Sequence, residues 1–274
     1  MNKFRVQCAV FGLLMSVQAS AGSVLELLTT EYTQDPPILG TVEISTFGSS
    51  SRIEITSISS NESGGIIYNG DKREMIAIDH EVQQYYVIDQ AMMNQMAAQV
   101  SDAMQQMQQA LEEMPPEQRA LAEQMMQVQI PQAQAGEIPK AVLNRTGESD
   151  SVGGYECEYY DVIQEGKKIR DLCMTEWSDF EEGRSIAAAM MQLADFFESL
   201  RKAFAGAGGL DVMDRQQELF AYMEELDGYP VLSRDYDAAG QLKLESRLKS
   251  AGKLEEVNPA LFEPPNGYRQ QSLQ

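Results

Sequence analysis

Few side chains in this chain of 274 residues could do chemistry by type and spacing, and the histidine count restricts them most. His80 is the single imidazole, so any Ser-His-Asp or Cys-His arrangement would have to be built around it. None of the usual nucleophile signatures accompanies it. Within Asp79-His80-Glu81 it reads as a solvated residue of a hairpin turn, with no companions nearby to make it a metal ligand. Asp235-Tyr236-Asp237-Ala238-Ala239-Gly240 opens like a calcium loop, but Ala239 and Ser246 stand at its fifth and twelfth positions, where such a loop needs its oxygen ligands. It predicts a turn. The glycines of Gly206-Ala207-Gly208-Gly209 follow a helical pattern rather than a strand, which excludes a dinucleotide loop. Adjacent acids such as Glu224-Glu225 point to different sides of a helix and read as solvated surface. Asn61-Glu62-Ser63 and Asn144-Arg145-Thr146 match the glycosylation pattern, which is too short to carry weight. These residues predict a protein without catalysis, cofactor or bound metal.

Methionine is the exception. Half of the chain's 16 methionines lie between Met92 and Gln127. Thioethers in that density could pack a core, form an adaptable apolar face over a cavity or toward variable partners, or ligate copper. Met93, Met96, Val100, Met104, Met107, Leu111 and Met114 step by 3, 4, 4, 3, 4 and 3, while Gln99, Asp102, Gln106, Gln109 and Glu113 hold the other side. That spacing is the stripe of an amphipathic helix. Copper sites of this kind favour exposed, repeated Met spacings and often histidine, so packing and the adaptable face are the stronger readings.

Two cysteines point to the compartment. Lys3 and Arg5 precede an apolar run from Val6 to Val17 and then Ala19-Ser20-Ala21, the pattern of a signal peptide over residues 1–21 with cleavage after Ala21. The run is too short to span a bilayer, and Cys8 lies inside it rather than after it, unlike a lipidated cysteine. The expectation is a periplasmic or secreted chain, not membrane-spanning. Cys157 and Cys173 each lie eight residues from Glu165. If Gln164-Glu165-Gly166 is a hairpin loop, they face each other directly and form a disulfide. Loss of Lys3 and Arg5 takes the formal net charge from −21 to −23. Such a surface repels phosphate backbones and anionic headgroups, which excludes nucleic acid as a partner.

Elements that could position these residues follow from periodicity. Period-2 segments at 23–33, 39–47, 51–58, 64–69, 73–78 and 84–89 predict an antiparallel meander, with turns at Gly64-Gly65, Asn69-Gly70-Asp71 and Asp79-His80-Glu81. The Met-rich helix comes next, Pro115-Pro116 ends it, and Leu121, Met125 and Val128 mark a second helix. Strands resume near 140–147, 154–163 and 167–177. Ile186, Met190, Leu193, Phe197, Leu200 and Phe204 then form a helical stripe, and Leu219, Phe220, Met223 and Leu226 another. Strands near 229–237 and 241–250 close the chain. Two helical insertions thus interrupt one sheet, with no interdomain linker and no internal repeat.

The stretch GGIIYNGDKREMIAIDHEVQQYYVID, from Gly64 to Asp89, resembles a segment of the periplasmic lipoprotein-carrier superfamily (LolA and LolB-like). The endings DGYPVLSRDYDAAGQLKLESRL and NPALFEPPNGYRQ are similar to those of a related bacterial periplasmic family of unknown function, as is the insertion around Met114-Pro115-Pro116-Glu117-Gln118-Arg119. The resemblance implies an α+β domain over 22–274, with helical insertions at about 90–128 and 185–227. It further implies a strongly curved antiparallel sheet, a half-barrel whose concave face the helices cover over an apolar cavity. In the carriers such a cavity holds acyl chains. No positions match a carrier's cargo-handling residues, so lipoprotein transport is not implied.

The functional expectation is a non-enzymatic exported protein that binds a lipid or other hydrophobic ligand between sheet and helices. The ligand-lining residues would be Met93, Met96, Val100, Met104, Met107 and Leu111, with Met190, Phe197 and Leu200 from the second insertion. The alternative is an envelope structural or protein-interaction module with a fully packed core and the helical hairpin as docking surface.

Overall fold

A computed structural model describes residues 22–60, 62–113, 115, 141–181, 183–203, 211–254 and 256–272. Residues 1–21, with the expected signal peptide, lie outside them, as do Met114, Leu121, Met125, Val128 and Phe204.

Six strands form the first half of the chain: β1 (Gly22–Glu31), β2 (Ile38–Phe47), β3 (Ser50–Ser57), β4 (Ser63–Asn69), β5 (Glu74–Asp79) and β6 (Gln84–Ile88). Helix α1 (Gln90–Glu113) follows, then β7 (Val142–Val152), β8 (Tyr155–Gln164) and β9 (Lys167–Glu176). A second helical pair, α2 (Gly183–Ala203) and α3 (Asp211–Glu225), precedes β10 (Gly228–Tyr236), β11 (Leu242–Leu254) and the short β12 (Arg269–Gln271). All twelve strands join one open sheet in the order β12-β6-β5-β4-β3-β2-β1-β11-β10-β9-β8-β7. The fold is α+β, as expected. Every neighbouring pair is antiparallel except β12 with β6, which is parallel. The sheet curves strongly at the β7–β8 end: a side chain at Gly153, between those strands, would meet the Leu248 carbonyl of β11 at 2.8 Å. A flat sheet would keep them far apart, because two strands intervene and each adds about 4.8 Å.

Alternation assigns the faces. Leu25 pairs with Ile44, Ile44 with Ile53 and Ile53 with Ile66, so one row of apolar side chains runs across β1–β4 on a single face. Helix α2 covers that row through Ile186, Ala189, Met190, Leu193, Phe196 and Leu200, all buried. The stripe expected over Phe197 is centred one residue earlier: Phe196 is 1% exposed and Phe197 half-buried. The opposite face carries a second cluster of Ile67, Ile76 and Ile78, closed by Phe262 from the C-terminal segment. A third, of Val162, Leu172 and Met174, is closed by Tyr222 of α3.

Cys157 and Cys173 are bonded, with Cα atoms 5.3 Å apart. The register expected for them is corrected. Gln164 faces Lys167, so the loop has two residues, Glu165 and Gly166, at φ 51° and 76°. Positive φ at both positions matches the twist of the strands. A bulge then shifts the pairing, and Cys173 faces Tyr159 rather than Cys157. The disulfide therefore joins a diagonal pair. The Gly64-Gly65 turn is also corrected: both glycines pair within β4, and the chain turns before them.

Candidate functional site

Helix α1 starts where β6 ends, at one margin of the sheet. Asp89 caps it, its carboxylate accepting from the Met92 amide at 2.8 Å. That bond satisfies one of the free N–H groups of the first turn. The cap fixes the rotation of the helix. Met93 is turned into the core at 2% exposure, while Met92, Gln95, Met96 and Gln99 turn toward the end of β12. Between them and Val87, Gln270, Gln271 and Ser272 lies a groove of about 490 Å³. Its floor is thioether and Val87, its rim carboxamide and hydroxyl, and no lining residue is charged. Such a lining can bury an apolar group while amides meet neighbouring polar atoms through both donors and acceptors. Methionine also adapts to irregular apolar shapes.

The expected ligand-lining residues divide. Met93, Met190 and Leu200 share the core cluster, and Phe197 packs on it and stacks with Phe220 at 6.4 Å between ring centroids. Met96 lines the groove. Leu111 is half-buried further along α1. The side chains of Val100, Met104 and Met107 lie outside the described residues. Sequence reasoning missed Gln270, Gln271 and Ser272, because a three-residue strand has no period to detect.

A second cleft, of about 450 Å³, is lined by Thr41, Glu43, Glu54, Thr56, Ser63 and His80. Here the reading of His80 as solvated is corrected. Its Nε2 donates to Glu54 Oε2 at 2.8 Å, and its Nδ1 lies 2.8 Å from the Tyr268 hydroxyl. Glu54 also accepts from Arg52 Nε at 2.6 Å. Gly65, opposite Glu54 on β4, leaves the space this carboxylate needs, since a Cβ there would stand 2.8 Å from Glu54 Oε1. Tyr268 is 188 residues from His80 in the chain, a separation that leaves no local signal. With both ring nitrogens engaged, the imidazole acts as a strut between elements. Among the described residues, no group of three or more His, Cys, Asp or Glu side chains could hold a metal ion. No described helix is long and apolar enough to cross a membrane.

No protein-family model and no curated protein matches the chain. Among solved structures, it is similar to an uncharacterized conserved protein from Thermus thermophilus, at 7% identity over 93% of this chain and 92% of that one, with a TM-score of 0.44. It is also similar to the MucA/MucB complex of Pseudomonas aeruginosa, at 7% identity over 89% of this chain and 55% of that one, with a TM-score of 0.37. At scores this low, the likenesses carry no argument about what this chain binds.

Proposed function

We propose that the chain is an exported binding protein without catalytic machinery, an interaction module that receives an uncharged, partly apolar segment of another protein along α1 and the groove beside it. One observation carries this reading. The sheet face beneath α2 is filled by side chains, with Ile186 and Leu193 each 1% exposed, whereas α1 borders an open groove of methionine and glutamine. The disulfide supports an oxidising compartment.

A photo-crosslinking residue at Gln99, in the protein expressed in its own host, tests the reading. The expected outcome is one crosslinked protein band that disappears with Met92→Glu and Met96→Glu in a chain that still folds. A second reading, a hydrophobic small molecule in the same groove, is favoured by the apolar floor of Val87, Met92 and Met96. It prevails if Gln99 captures no protein and the purified chain instead binds a fluorescent fatty acid saturably, with loss in the same variants.

A further inference from the structure

The wall of the groove opposite α1 belongs to a segment that reaches it across the sheet face that carries Ile67, Ile76, Ile78 and the groove's own Val87. From Asn258 onward the chain runs over β3–β6. Phe262 enters the Ile67, Ile76 and Ile78 cluster, and the Leu261 carbonyl accepts from Arg52 Nη1 at 2.7 Å. A turn with Gly267 at φ 87° then brings Tyr268 onto His80, hydroxyl to Nδ1 and ring to ring at 5.6 Å between centroids. Directly after Tyr268 the backbone becomes β12, paired with Gln84–Tyr86 through only three residues, and it ends in Gln270, Gln271 and Ser272 of the groove. Three such pairings cannot hold a strand by themselves in water.

We propose that Glu54, His80 and Tyr268 form a latch that positions β12, and that this latch sets the width of the groove. Glu54 is its hub: one carboxylate holds both Arg52, which grips the Leu261 carbonyl, and His80, which grips Tyr268. The latch keeps both hydrogen bonds whether the imidazole is neutral or charged. Neutral, Nε2–H donates to Glu54 and Nδ1 accepts from the phenol; charged, both nitrogens donate. It is a mechanical tie, and His80, Tyr268 and Glu54 are positioning residues that touch no ligand. If the groove is the binding site, occupancy and latch closure are linked reciprocally, so whatever opens one weakens the other by the same factor.

The test reads the groove wall directly and needs no ligand. Nitroxide labels at Gln99→Cys and Gln270→Cys, with Cys8→Ser, report the α1–β12 distance, and amide exchange reports the pairing of Arg269–Gln271. Tyr268→Phe removes one hydrogen bond at constant shape, and His80→Phe removes both. The expected result is a narrow distance distribution in the parent that broadens in both variants, with exchange of Arg269–Gln271 about tenfold faster and β2–β5 unchanged. A distribution that stays narrow in both variants overturns the proposal. So does exchange that rises equally across β3–β6, which would make the three residues ordinary fold support. Failure of the groove as a binding site appears separately, in the Gln99 crosslinking and fatty-acid experiments, and leaves these readouts untouched.

Discussion

Helices α1 and α2 are of similar length, 24 and 21 residues, both carry methionine, and both show an apolar stripe, yet they end in different surroundings. Helix α2 lies on the sheet with six buried side chains from Ile186 to Leu200. Among the described side chains of α1, only Met93 is buried. The difference comes from where each helix is tethered. The pair α2–α3 leaves β9 and returns to β10 through one neck, where the Trp177 amide donates to the Asp227 carbonyl at 3.1 Å. At Gly183 the chain passes so close to the Trp177 carbonyl that any side chain would collide with it. That neck holds α2 over the middle of the sheet. Helix α1 instead leaves from β6, with only β12 beyond it. A stripe of the same period therefore announces a surface to be covered, and the tether decides how much surface is there.

Substitutions can break or sharpen this contrast. The largest effect is expected at Phe196, which is 1% exposed and meets Tyr68 at 5.3 Å between centroids. Phe196→Ala should cost about 3–5 kcal/mol in chemical denaturation, by lost burial and the cavity left behind. Met96→Ala, at the groove, should cost less than about 1 kcal/mol. Equal costs would erase the distinction between the helices.

Next comes the disulfide beside the α2 neck. Replacing Cys157 and Cys173 with Ala frees a loop of 16 residues in sequence separation and should lower stability by about 3 kcal/mol, read as a lower denaturation midpoint. Asp89→Ala removes the cap of α1 and should cost about 1 kcal/mol, with faster amide exchange in the first turn of α1 and none in α2. A loss spread over both helices would show that they are one cooperative layer.

The smallest effect is expected from alkaline pH, and it falls on Tyr222 of α3 and Tyr236 of β10. Burial, and then the Glu218 carboxylate, pushes the Tyr222 phenol up to about 12; burial, and then the Asp171 carboxylate that accepts its proton at 2.6 Å, pushes Tyr236 up to about 12. An unfolded tyrosine ionises near 10, so the folded chain holds these protons more tightly. Their contribution is whole below pH 10 and is lost as pH rises toward about 12. Tyr222→Phe and Tyr236→Phe together should flatten the loss of melting temperature across that window. An unchanged slope would place alkaline sensitivity elsewhere.

Much of the architecture was legible locally. The strands expected at 39–47 and 84–89 are β2 at Ile38–Phe47 and β6 at Gln84–Ile88, because alternation of Val42, Ile44 and Thr46 follows from the geometry of a half-buried strand. The two helices announced themselves by a period of 3.6, and the chain breaks between elements by glycine and polar residues. The cysteine pair was also legible, although its register was not: symmetry about Glu165 assumes a three-residue loop and no bulge, and the two-residue loop and the bulge each shifted the pairing by one residue. The site was scarcely legible. Met96 could be singled out as part of a stripe, but a stripe does not say which of its residues meet protein and which meet a groove.

By itself, the sequence determined the order and type of β1–β11 and α1–α3, the acidic composition and the cystine, since each depends on residues close together or on composition. Tertiary structure alone decided that Met93 is core while Met96 borders a groove, that Gln270 and Gln271 form the facing wall, and that His80 is tied to Tyr268 rather than left in water. The physical reason is distance along the chain. Periodicity records which side of its own element a residue faces, whereas the partner on that side is chosen by how the whole sheet curves and where each connection is anchored.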